Sequence, residues 1–159
     1  MTSKSSVGRA PRAVGAVICL AALWMSGPSV LAQVTPSATS TADVRKVVDD
    51  YVGLYRKDTL ADWRTLFLPT FTATSPGADG AVTVRTLDEF YESQARGFAR
   101  AAEMSETLEN VVIERSGRMA TAWADFVFRQ DGTSRRGRLV LTLIETKATW
   151  RITSLMFSY

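Results

Sequence analysis

Val44, Val47, Val48, Tyr51, Val52 and Tyr55 recur at intervals of three and four, with Arg45, Lys46, Asp49 and Asp50 between them. Residues so spaced share one face of an α-helix, which predicts an amphipathic helix beginning at Thr41. A second, shorter helix is expected from Leu60 to Phe67, closing before Pro69 because the residue ahead of a proline avoids helical geometry. Between Phe71 and Arg85, β-favouring segments flank Ser75-Pro76-Gly77 and Asp79-Gly80, the pattern of two short strands and a loop. Thr86 with Glu89 three residues on forms a capping box, and a third helix from Leu87 to about Glu103 follows. Gly97 within it costs about 1 kcal/mol against alanine and marks a bend or a close approach.

After Met104 the pattern is all strand: Glu106–Glu114, Arg118–Arg129, Arg136–Glu145 and Thr149–Ser158, separated by Ser116-Gly117, Asp131-Gly132 and Thr146-Lys147-Ala148. Helices followed by an antiparallel meander imply an α+β domain with the helices on one face of a curved sheet. Leu139, Leu141 and Leu143 alternate with Val140 and Ile144, and Leu155 and Phe157 alternate with Trp150, Ile152 and Met156. A sheet with one solvated face alternates apolar with polar, so the second face is expected to be covered. A homodimer through that face is the leading explanation, with burial under the protein's own segments as the alternative.

The N-terminus has a different texture. Lys4, Arg9 and Arg12 precede an uncharged apolar run from Ala13 to Met25, then Ser26-Gly27-Pro28 and Val30-Leu31-Ala32. This is the order of a secretory signal cleaved after Ala32, and the run is shorter than the roughly 20 residues of a spanning helix; an uncleaved anchor is the alternative. Ile18 precedes Cys19 where a lipid-attachment signal would want a small residue. The expected organisation is a signal peptide over 1–32, a flexible leader over 33–40 and one domain over 41–159, periplasmic or secreted, with no membrane contact in the mature form.

Charge and chemistry follow from that division. Lys4, Arg9 and Arg12 of the signal segment account for the whole formal charge of +3, so the remaining domain is near neutral. Its one basic cluster, Arg135-Arg136 with Arg138, reads as a hairpin rather than a nucleic-acid site, which would want a basic stripe interleaved with aromatics. Cys19 is the only cysteine and there is no histidine. Disulfides, thiolate or histidine metal sites and histidine-based hydrolysis are thereby excluded from the domain. Gly77 and Gly80 lack the lysine and following helix of a phosphate loop, Asp49 and Asp50 splay apart on a helix, and no motif calls for a cofactor or a metal.

Ala120-Thr121-Ala122-Trp123-Ala124-Asp125-Phe126, then Asp131-Gly132, Gly137 and the closing Trp150-Arg151-Ile152-Thr153-Ser154-Leu155 resemble the nuclear-transport-factor-2-like superfamily. That superfamily includes ketosteroid isomerase, scytalone dehydratase and polyketide cyclases of the SnoaL type. The resemblance spans about residues 41–159 and looks closest to small bacterial members of the lumazine-binding type. It implies a cone-shaped curved antiparallel sheet wrapped around three helices, with an apolar pocket between them. Ketosteroid isomerase uses a tyrosine on its first helix, a base aspartate before a proline and a protonated carboxylic acid on a strand. Tyr51 falls at the tyrosine, but Ser75 and Leu139 fall at the two acids, so steroid isomerisation is not expected.

Tyr51, Tyr55, Trp63, Phe67, Tyr91, Trp123 and Leu139 are candidates to line such a pocket, or are simply core. Asp125, between Ala124 and Phe126, either points into the pocket, where burial would raise its pKa and make it an acid or base, or faces outward and pairs with Arg138. Two functions follow. One is non-catalytic binding of a small apolar or aromatic ligand, or service as a dimeric partner module. The other is an enzyme of the lyase, isomerase or cyclase type using Asp125 with Tyr51 or Tyr55.

Overall fold

A computed structural model describes residues 38–147 and 149–159. The signal peptide and most of the leader expected before Ala38 lie outside the described residues. The described chain runs α1 (Ala38–Gly53), α2 (Leu60–Arg64), β1 (Phe67–Pro76), β2 (Val82–Thr86), α3 (Leu87–Arg100), β3 (Met104–Ser116), β4 (Met119–Gln130), β5 (Thr133–Thr146) and β6 (Thr149–Ser158). Helix α1 starts three residues before the expected Thr41, taking in the end of the leader, and stops at Gly53, so Tyr55 lies just beyond it. Helix α2 ends at Arg64 rather than Phe67, and Phe67 already pairs with Ile152 as a strand residue. Pro69, unable to donate a ladder hydrogen bond, sits where the β1–β6 register shifts between Phe67 and Thr72.

The six strands form one sheet in the order β2-β1-β6-β5-β4-β3. The β3–β6 run is the expected antiparallel meander, but β1 lies parallel to β6, so the sheet is mixed rather than wholly antiparallel. No hairpin joins β1 to β6, and their direction is therefore free of a turn's constraint. Asp131 and Gly132 take φ of 48° and 80°, the paired positive values of a two-residue hairpin turn. Asp131 Oδ1 also accepts from the Ala102 and Glu103 amides at 2.8 and 3.1 Å, which ties the end of α3 to the β4–β5 turn. The capping box at Thr86 and Glu89 is present at the start of α3.

Helices α1 and α3 pack on one face of the sheet, α1 over β3 and β6 and α3 over β1 and β2. Ala120, Ala122 and Ala124 of β4, with Leu139, Leu141 and Leu143 of β5, floor the core under rings from the helices. Trp63 is fully buried, 4.6 Å edge-on to Phe67, and its indole N–H donates to the Tyr51 carbonyl at 2.8 Å. Two bulges bend the sheet. Asn110, at φ 53°, stands in the register shift of β3 against β4; Thr153 stands in that of β6 against β5 and donates to the Thr142 carbonyl at 3.1 Å. The second bulge corrects the reading of β6: the extra residue turns Trp150, Ile152 and Leu155 all to the core, and only Met156 goes outward exposed. Among the described residues no helix is long and apolar enough to cross a membrane.

Candidate functional site

Between the helices and the concave sheet face lies a cavity of about 370 Å³. Tyr51, Tyr55, Phe90, Ser93, Gln94 and Gly97 line it from the helical side, and Met104, Glu106, Phe126, Phe128, Leu139, Leu155 and Phe157 from the sheet. Ser75, Arg85, Gln130, Arg135 and Tyr159 complete the lining. Gly97 is there for space: a Cβ would stand 3.0 Å from Met104 Sδ, so the missing side chain lets β3 approach α3.

The sequence-derived candidates separate cleanly. Tyr51, Tyr55 and Leu139 line the cavity. Trp63 and Phe67 lie behind it in the ring cluster, the Tyr51 and Trp63 centroids being 5.8 Å apart. Tyr91 is outside the lining and half-buried, with the Arg64 guanidinium 4.9 Å above its ring. Trp123 is 51% exposed on the convex face. Asp125 is on that face too, because alternation along β4 sends Ala122, Ala124 and Phe126 inward and Trp123 and Asp125 out. Its carboxylate accepts from Asn110 Nδ2 at 2.8 Å and Arg138 Nε at 2.9 Å, and these bonds hold its pKa below the usual carboxylate range. Asp125 is an outer ion-pair member and cannot reach the cavity as an acid or base.

The residue that sequence reasoning missed is Glu106. It lies near the start of β3, where Met104, Glu106 and Leu108 are the partly buried positions and Ser105, Thr107 and Glu109 the exposed ones. A carboxyl on the apolar phase of a strand is the signal that would have found it. Although the residue keeps some exposure, its Oε1 is buried and without a hydrogen-bond partner. Burial pushes the carboxyl up to about 7, partly offset by the hydrogen-bonding influence of the Tyr51 hydroxyl. Burial first, and the nearby Glu106 charge second, raise Tyr51 and Tyr55 well above the ordinary phenol range, so both remain donors at any physiological pH. Tyr55 spends its proton on Gln94 Oε1 of α3.

Around this acid the lining combines seven rings with Ser75, Ser93, Gln94, Gln130 and two guanidinium groups. Arg135 lies 4.5 Å from the centroid of Tyr159 and 5.5 Å from that of Phe128. Tyr159 in turn stands edge-on to Phe126 at 5.2 Å. Ser75 and Leu139, at the positions matched to the two steroid-isomerase acids, both line the cavity, and neither is a carboxyl. Chemically the site can enclose a small apolar body, offer phenol donors, and exchange one proton near neutrality. Among the described residues no group of three or more acid, histidine or cysteine side chains is placed to hold a metal.

The sequence profile of the family described as SnoaL-like domain matches residues 44–159. Among curated proteins, none matches the sequence. Solved structures share the fold. A nuclear-transport-factor-2-like protein of unknown function from Shewanella baltica is 16% identical over 77% of this chain and 95% of its own, with a TM-score of 0.60. A candidate scytalone dehydratase from Novosphingobium aromaticivorans is 12% identical over 75% and 83%, with a TM-score of 0.62. A candidate dehydratase from Streptomyces avermitilis is 15% identical over 76% and 95%, with a TM-score of 0.59. The family profile covers nearly all of the described chain, and the solved neighbours share its fold: the chain belongs to the SnoaL-like domain family and has the nuclear-transport-factor-2-like fold.

Proposed function

We propose that this domain binds a small, largely apolar, ring-containing molecule in the cone cavity and presents to it one protonatable carboxyl, that of Glu106. The observation that carries the reading is a cavity of about 370 Å³, walled by rings and aliphatic side chains together with serine, glutamine and arginine side chains, with a buried and unpartnered carboxyl oxygen on its sheet side. Small-molecule sites combine rings and aliphatic side chains with placed polar groups, and this lining holds both. The N-terminal pattern of basic, apolar and small residues supports work outside the cytoplasm, in the periplasm or beyond, as part of this reading. The neutral fluorophore N-phenyl-1-naphthylamine should bind saturably to the wild-type protein and fail to bind Leu139→Trp, which fills the cavity, while both unfold cooperatively. Undiminished binding to the filled variant would place the probe elsewhere and end the reading.

A second reading is favoured by the same carboxyl. Poised near 7 beside the Tyr51 hydroxyl, Glu106 has the acidity of a general acid or base for lyase or isomerase chemistry, the role the sequence suggested for Asp125. Two of the structural neighbours carry dehydratase names. Exchange of α-protons of small cyclic ketones in heavy water, followed by NMR, tests it: exchange above the buffer rate must vanish in Glu106→Gln and persist in Asp125→Asn.

The outer face has a use as well. Val112, Trp123, Val140 and Met156 are successive register partners across four strands, and Val112, Trp123 and Met156 are each more than half exposed. A continuous apolar row of this kind suits a twofold partner presenting the same row, the commonest form of self-association. Sedimentation velocity should give a dimer for the wild type and a monomer for Trp123→Asp.

A further inference from the structure

We infer that the ligand of this cavity is a small organic anion, an aromatic or alicyclic carboxylate, held at its charged end by Arg135, with Arg85 the second cation of the lining, and that it enters together with a proton taken up by Glu106. The inference rests on the ligand-binding reading above and adds the charge class and the proton.

The charges of the lining are unbalanced. Arg85 comes from β2 and Arg135 from β5, and Glu106 is the one side-chain carboxyl among the described lining residues. Neither Arg85 nor Arg135 makes an ion pair with a carboxylate; among the described residues they share this with Arg56, Arg100, Arg118, Arg129 and Arg151, and what sets the two apart is that they line the cavity. Of the two acids that follow Arg85 in sequence, Asp88 is paired with Arg64 and Glu89 is bound to the Thr86 amide and hydroxyl in the α3 cap. Arg135 lies over the rings of Tyr159 and Phe128. A guanidinium stacked on rings keeps its N–H edge free, and that edge binds carboxylate in charge-assisted pairs. A body of one or two rings fills the apolar part of the cavity.

The proton follows from the same arrangement. The charged and titratable groups that share the lining with Glu106 are Tyr51 and Tyr55 from the α1 end, Arg85 from β2, Arg135 from β5 and Tyr159 just past β6; α3 and β4 contribute only uncharged side chains to the lining. Burial already holds Glu106 near 7. A second negative charge in so small a space disfavours its ionised form further, so at a pH where the free protein carries Glu106 ionised the bound one carries it protonated.

Calorimetric titration with 1-naphthoate, and with its neutral isostere 1-naphthamide, decides the matter at about pH 8 in buffers of different ionisation enthalpy. Naphthoate should bind at least about tenfold more tightly than naphthamide, with uptake of close to one proton. Arg135→Gln should erase the preference, and Arg136→Gln, which alters an outward ion pair with Glu109, should leave it intact. Glu106→Gln should erase the proton uptake. If N-phenyl-1-naphthylamine binds in the cavity but naphthoate shows no advantage over naphthamide, the anion inference falls alone. If the proton count is unchanged in Glu106→Gln, the coupling is refuted. If none of the three probes binds, the ligand-binding reading falls and takes this inference with it.

Discussion

Replacing Glu106 by glutamine gives the sharpest test of what its burial costs. Glutamine keeps the shape of the protonated side chain and removes its titration. In the folded protein the carboxyl titrates at about 7, against an ordinary value of 4.5. A raised carboxyl pKa means that the fold prefers the neutral form. Between those two values the unfolded chain has released the proton and the native one still holds it, so stability falls as pH rises. Below the lower value both states are neutral and nothing is lost; above the upper value the whole penalty is present. At about 1.36 kcal/mol for each pH unit of separation, the penalty reaches about 3 kcal/mol. Urea unfolding followed by tryptophan fluorescence should therefore find the two proteins differing little at about pH 4, and Glu106→Gln more stable by about 3 kcal/mol at about pH 8. Taking the difference between the proteins removes the titrations they share, such as those of Glu89 and Asp125, whose pKa values are lowered. A difference that stays flat across this range would refute the claim that Glu106 is desolvated.

Three further expectations concern the frame around the site. Gly137→Ala would set a Cβ 2.1 Å from the Ser158 carbonyl oxygen and 2.7 Å from the Phe126 ring, so overpacking of about 1–3 kcal/mol is expected in urea unfolding. Thr86→Ala removes the α3 cap and should cost about 1 kcal/mol, largely restored by Thr86→Ser. Asp125→Asn should leave the affinity of any cavity ligand unchanged by calorimetry, since its carboxylate faces Arg138 and Asn110 on the convex side.

What was legible in the sequence is what short-range physics determines. The spacing of Val44, Val48 and Tyr51, the Thr86 and Glu89 pair, and Asp131-Gly132 each specify local geometry, and each is found where the pattern puts it. What escaped depends on partners distant in sequence. Pairing with β6 draws Phe67 out of a helix and into β1, and an extra residue at Thr153 overturns a strict two-residue alternation in β6. The site was harder still. Tyr51, Tyr55 and Leu139 fall at the cavity, but Trp123 and Asp125 share the outward phase of β4, opposite to Ala122, Ala124 and Phe126. An apolar neighbourhood in sequence conceals that difference, because it puts residues of both faces side by side. Glu106 was hidden for the opposite reason: its sequence neighbours are polar, and only the residues two away reveal the company it keeps.

The parallel junction of β1 with β6 also constrains the order in which the molecule can assemble. β6 is an interior strand flanked by β1 and β5, so Phe67 and Phe71, made early, have no completed sheet to rest on until Ile152 and Leu155 have emerged. Bringing such distant segments together is slow compared with closing the hairpins of the β3–β6 run. The β1 edge of the sheet is therefore completed last, once nearly all of the described sequence is available to pair.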